Sequence, residues 1–214
     1  MSVQQVHDFF AVLTIVAAAG AVLMVLSRVI NTVPTVRFLD TIYKVQLPLA
    51  ALVALVATVG SLYMSEFGNK FAPCRFCWFQ RIFMYSLAVV LLVAAIRRDR
   101  GVRWYAAALA GIGILLSTWH ILLEHGVVTE SAECKASIPC AIPYLISFGH
   151  RDPDRLGPTG FPAITLAIMA FCGFAAILAL LLLPEAPDAN DIDIDTPLTT
   201  IPTEDAQHGK STAS

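Results

Sequence analysis

The chain has 214 residues, 57% of them hydrophobic and 14% charged, with a formal net charge of −2. An ordinary soluble domain carries about 25% charged residues, so this composition excludes one and points to a compact membrane protein. No phosphate-binding glycine loop, internal repeat or nucleic-acid signature is present, and no nucleic-acid partner is expected.

A helix needs about 20 mostly apolar residues to cross a bilayer. Five segments fit: Phe9–Ile30, Val45–Met64, Gln80–Ile96, Trp104–Leu123 and Pro162–Leu183. The first has no Lys or Arg before Arg28, and its apolar run is too long for a signal peptide, so it reads as a retained helix. Its run Ala17-Ala18-Ala19-Gly20-Ala21 suits close helix approach, although plain lipid-facing filler is the preferred reading. In the second segment, Pro48 and Gly60 need no functional explanation. Arg37 and Lys44 in the link Asn31–Lys44, and the arginines of Arg97–Arg103, place both links in the cytoplasm by the positive-inside rule. The N-terminus and the loops Ser65–Phe79 and Glu124–Phe161 then face outside, and the C-terminal tail inside.

The third segment follows Ala72-Pro73-Cys74-Arg75-Phe76-Cys77-Trp78-Phe79-Gln80-Arg81. Pro73 suits the first position of a helix. Cys74, Cys77 and Arg81, spaced by three and four, then share one helix face. A helix N-terminus and a nearby guanidinium both favour the thiolate. A lone Cys-x-x-Cys remains ambiguous between a redox pair and half of a zinc site. Arg81 either snorkels to headgroups or serves the cysteines; its place on their face favours function.

The fourth segment ends Trp119-His120-Ile121-Leu122-Leu123-Glu124-His125. Trp119 reads as an interfacial anchor. His120 and His125, each alone, read as interfacial polar residues; with Glu124 they form a candidate ligand site or proton relay. The next loop holds a second pair, Cys134 and Cys140, on the same side as the first. The apolar run Ala141–Phe148 is too short to span and suits the membrane surface. Cys172, mid-helix in the fifth segment, reads as a small hydrophobe. The acidic tail after Pro184 has the composition of a disordered segment. The chain thus divides into 1–44 (extra helix and link), 45–183 (four helices and two cysteine loops) and 184–214 (tail).

Two pairs on one side admit three readings. The first is a relay in which one pair reduces the other by thiol–disulfide exchange and a lipid-soluble acceptor takes the electrons. The second is a four-cysteine zinc site, although the second pair's spacing is wide for a zinc knuckle and an oxidising outside favours disulfides. The third is two structural staples, which leave Arg81 and the position of the first pair unexplained.

Cys74-x-x-Cys77-Trp78-Phe79-Gln80-Arg81 opening a membrane helix, with Ile138-Pro139-Cys140 in the second outer loop, resembles the DsbB/BdbC family of membrane disulfide bond formation proteins. The likeness covers roughly Val45 to Leu183. It implies an all-α membrane protein: a four-helix transmembrane bundle, here with one extra N-terminal helix, five spans in all. It implies residence in a bacterial inner membrane, reoxidation of a thioredoxin-like, DsbA-type partner outside the cytoplasm, and electron delivery to quinone, either ubiquinone or menaquinone. Carried over, Cys134 meets the partner, Cys140 transfers to the first pair, and Cys77 lies next to the quinone. Arg81 with Gln80 helps bind it, and a histidine lies close by, His125 being the better match and His120 the other. The extra helix Phe9–Ile30 and the close spacing of Cys134 and Cys140 depart from the family pattern. Vitamin K epoxide reductase-like enzymes share the logic but not this motif layout.

Overall fold

The computed structural model describes residues 3–30, 33–67, 73–129, 139–143, 145–151, 158–159 and 163–183. Cys134 and the acidic tail lie outside them. The described residues form five α-helices: α1 (Val3–Ile30), α2 (Val33–Leu62), α3 (Arg75–Arg97), α4 (Arg103–Glu124) and α5 (Leu166–Leu181). One π turn, Tyr63–Phe67, extends α2, and a 3₁₀ turn, Arg100–Val102, joins α3 to α4. Two short strands, β1 (His150–Arg151) and β2 (Pro158–Thr159), pair antiparallel, with His150 opposite Thr159. The architecture is the all-α membrane bundle expected from the composition. Four helices are long and apolar enough to cross a membrane, while α5, with 16 residues, is a shorter apolar helix.

The helix starts differ from the hydropathy reading: α1 and α3 begin earlier, at Val3 and Arg75, and the starts of α2 and α5 differ in kind. α2 takes in most of Asn31–Lys44, which was expected to be a link. These turns hold themselves together: Lys44 pairs with Asp40 at 2.7 Å and Thr41 bonds the Arg37 carbonyl at 2.9 Å. Such i, i+4 contacts let a helix run past the apolar stretch. α5 starts at Leu166, later than Pro162, because Ile164 pairs with Ser147 in an antiparallel bridge and Thr165 caps the helix.

Small residues let the helices close on one another. Ala50, Ala51 and Ala54 of α2 and Ala106 and Ala110 of α4 are buried with Leu87 and Leu91 of α3 and Phe174 and Ile177 of α5. At Gly113 of α4 the Phe174 ring comes so close that a Cβ would lie 2.5 Å from it. The large apolar residues left exposed, among them Val16, Leu52, Val89 and Leu115, suit a lipid surround.

The extra helix packs against the bundle along one side. α1 packs on α5 and α2. The Phe10 ring fills the notch at Gly60, where a Cβ would meet it at 2.4 Å, and Arg28 donates to the Leu182 carbonyl at 3.2 Å. Gly20 has nothing within 4 Å, whereas Ala21 of the same small-residue run packs against the core. The start of α1, the start of α3, the end of α4 and residues 139–143 and 145–147 meet at one end of the bundle.

Candidate active site

Cys74 stands one residue outside α3 and caps it. Its backbone is extended (φ −65°, ψ 169°), and its Sγ accepts a hydrogen bond from the Cys77 N–H at 3.3 Å. A side-chain acceptor at this position meets a helix N–H that has no partner within the helix. Pro73 therefore precedes the cap and does not occupy the first helical position. Trp78 N–H donates to the Cys74 carbonyl at 3.1 Å, closing the first turn.

The two sulfurs lie 2.9 Å apart, Cys74 Sγ donating to Cys77 Sγ. That bond, then burial, pushes the Cys74 thiol up to about 12, against an opposing pull from His120. The helix N-terminus and Arg81 therefore do not act equally on the two sulfurs: Cys74 keeps its proton and Cys77 is the accepting sulfur. Cys74 is buried while Cys77 is half-buried.

His120 sits over this pair. Its Nε2 lies 3.8 Å from Cys74 Sγ, 3.2 Å from the Cys140 carbonyl oxygen and 3.9 Å from Glu124 Oε1. Its Nδ1 lies 3.4 Å from Gln80 Nε2, which also donates to Ser117 Oγ at 3.2 Å. The Gln80 amide donates to Nδ1, so the proton sits on Nε2, facing the Cys140 carbonyl and the Cys74 sulfur. Phe76 stacks on the ring at 5.8 Å. Glu124, 2% exposed, accepts from Thr165 Oγ1 at 2.7 Å. Cys140 is buried in the same small cluster as Cys74 and Leu123. Cys74, Cys77, His120, Glu124, Cys140 and Leu166 line one cavity.

Of the residues singled out in the sequence, Cys74, Cys77, Cys140, His120, Glu124 and Gln80 converge here. Gln80 faces α4, behind His120. Arg81, half-buried, lies one turn along α3. It donates to the Ser61 carbonyl of α2 at 3.3 Å and lies 5.7 Å from the Trp78 ring. His125 is exposed at the end of α4 and does not line the cavity. Cys172 lies in α5, outside the cavity lining. Ser117 and Thr165 went unnoticed in the sequence. The usable signals were a Thr just before an apolar helix and the four-residue step from His120 to Glu124.

Cys74, Cys77 and His120 also bring ligand atoms within 4.8 Å of one another, a set that a thiophilic metal ion could use. Two sulfurs on one tetrahedral zinc stand roughly 3.8 Å apart, from a Zn–S bond of about 2.3 Å. The observed 2.9 Å is closer and suits sulfur–sulfur chemistry better.

The model for disulfide bond formation protein DsbB matches residues 44–184 of the chain. The chain belongs to the DsbB family. A probable disulfide formation protein of Deinococcus radiodurans is 42% identical over 141 residues, covering 65% of this chain and 88% of the relative. One of the same description from Oceanobacillus iheyensis is 36% identical over 132 residues, covering 61% and 81%. Disulfide bond formation protein C of Bacillus subtilis is 36% identical over 133 residues, covering 61% and 86%. No solved structure matches. Family membership and the apolar helices together make this a multi-pass membrane protein of disulfide bond formation, a disulfide oxidoreductase.

Proposed function

We propose that this DsbB-family protein reoxidises a thioredoxin-like, DsbA-type partner outside the cytoplasm and passes the electrons through its two cysteine pairs to membrane quinone. The observation that carries the reading is the joint burial of Cys74 and Cys140 beside His120, with Cys77 at the edge of the same cavity.

A partner thiolate attacks Cys134 of a Cys134–Cys140 disulfide and frees Cys140 as a thiolate. Cys140 attacks Cys74 of the Cys74–Cys77 disulfide, forming Cys74–Cys140 and freeing Cys77 as a thiolate. The second partner thiol resolves its mixed disulfide with Cys134, leaving the partner oxidised. Cys134 then attacks Cys140, regenerates Cys134–Cys140 and leaves Cys74 and Cys77 as the dithiol. His120 Nε2–H donates toward sulfur while charge resides there. Glu124 and Gln80 orient the imidazole from opposite sides.

The residues fit a quinone. Beside Cys77, the lipid-exposed Trp78, Phe79 and Ile82 make an apolar flank, and Arg81 offers a cation one turn deeper. A quinone bound there would accept two electrons and two protons as Cys74–Cys77 re-forms. Arg81 would favour negative charge on its oxygen. Gln80 and His120 serve the sulfurs, and the exposed His125 lies apart from them. The cysteine end faces outside the cytoplasm in a bacterial inner membrane, in keeping with the arginines of Arg97–Arg103 at the other end.

Anaerobic turnover with a reduced DsbA-type protein and either ubiquinone or menaquinone tests this. Cys77→Ala is expected to abolish quinone reduction. Arg81→His is expected to raise the apparent KM for quinone about tenfold or more while the protein stays folded. Full turnover by Cys77→Ala would sink the relay.

A further inference from the structure

The extra helix α1 lies wholly outside the family match, which begins at residue 44. Its first turns nevertheless reach the loop that carries Cys140. Ser147 Oγ donates to Asp8 Oδ1 at 2.6 Å. A serine hydroxyl has one proton, so His7 Nδ1, 2.6 Å from the same oxygen, is the donor to it. Gln4 Nε2 donates to Asp8 Oδ1 at 2.9 Å and to the Ile146 carbonyl at 3.4 Å. Ser147 and His7 are fully buried, at 1% and 0% exposure.

Ser147 is held from the other side too. Its N–H and carbonyl exchange two hydrogen bonds of 2.9 Å with Ile164. The next residue, Thr165, bonds Glu124, which faces His120. His120 in turn touches both Cys74 and the Cys140 carbonyl. A continuous chain of polar contacts thus links the start of α1 to the cysteine site. The connection from Glu124 to Leu166 is long, and a long connection by itself fixes its ends weakly.

We propose that α1 is a positioning element for Cys140: Asp8 and His7 anchor Ser147 and so hold Cys140 against Cys74. The Asp8 contact is charge-assisted and part-buried, and the His7 contact beside it is buried, a combination that defines a geometry. Thiol–disulfide transfer gains rate from such fixed proximity. The inference rests on the Cys140-to-Cys74 transfer proposed above.

The test measures proximity as an effective concentration. Cys74 and Cys140 are kept in a full-length Cys77→Ser, Cys134→Ser, Cys172→Ala background. The protein is equilibrated in detergent with reduced and oxidised glutathione. Protein dithiol plus oxidised glutathione gives protein disulfide plus two reduced glutathiones, and the ratio yields the effective concentration. Asp8→Ala and Ser147→Ala are each expected to lower it about tenfold or more, and the double variant little further. Asp8→Asn keeps an acceptor oxygen for Ser147 and is expected to stay within about threefold. The Cys74–Cys77 pair, measured in a Cys140→Ser background, is expected to be unaffected by all four variants. An unchanged Cys74–Cys140 value in Asp8→Ala overturns the proposal. An equal fall at both pairs overturns it as well, because that is general loosening of the bundle. Neither partner nor quinone is present, so these outcomes do not depend on the electron acceptor. Failure of the parent background to form Cys74–Cys140 would instead defeat the transfer reading itself, and this inference with it.

Discussion

Replacing Thr165 by Val probes how the site is held to the bundle. Thr165 is fully buried and does two things with one hydroxyl. It accepts from the Ile168 N–H at 3.4 Å, capping α5, and donates to Glu124 at 2.7 Å. Valine nearly preserves the shape and removes both bonds. Loss of a Thr cap costs about 1 kcal/mol, less here because the bond is long. A short bond to a carboxylate is worth about 1.5–3 kcal/mol. The expected destabilisation is therefore about 2–4 kcal/mol. Glu124 then loses the contact that holds it beside His120, and turnover is expected to fall about tenfold, equivalent to 1.4 kcal/mol of barrier. Thermal unfolding of the detergent-solubilised protein and turnover with a reduced partner read the two effects. Thr165→Ser keeps both bonds and is expected to behave like the parent. Parental stability and turnover in Thr165→Val, or equal damage in Thr165→Ser, would refute the reasoning.

In the fully reduced protein, a Cys74 thiol pushed up to about 12 leaves roughly one molecule in ten thousand as thiolate at pH 8. Iodoacetamide should label Cys74 last, its rate climbing about tenfold per pH unit up to that value; equal labelling of Cys74 and Cys77 at pH 8 contradicts the bond between them. Gly113→Ala drives a methyl into the buried Phe174 ring and should destabilise by about 1–3 kcal/mol. Gly111→Ala, with nothing within 4 Å, should be silent in the same melt. Gln80→Leu strips hydrogen bonds from Ser117 and His120, a cost of about 1–3 kcal/mol in unfolding. Turnover unchanged by Gln80→Leu would separate Gln80 from the orientation of His120.

Much of the bundle was legible because hydropathy marks what lipid covers. α3 and α4 were readable, since an arginine-rich turn separates them and a cysteine pair opens the first. The start of α2 was not, because side-chain pairs such as Asp40 with Lys44 sustain it where apolar residues run out. The first cysteine pair and Arg81 stood out by spacing, which by itself left a redox pair and a zinc ligand both open. The choice between His120 and His125 did not. Five residues turn a helix by about 140° past a full turn, so only one of the two can face Cys74, and nothing local says which. Thr165 with Glu124 and Asp8 with Ser147 meet only through the fold, across separations no periodicity reports.

A thiol-alkylation mass map tests the central claim most directly. Purified protein would be reduced mildly, freed of reductant without oxygen, and mapped before and after quinone is added. The account predicts that the Cys74–Cys77 disulfide returns first, and only with quinone present. Thiols that stay free with quinone added, or that stay free around stoichiometric bound zinc, would contradict it.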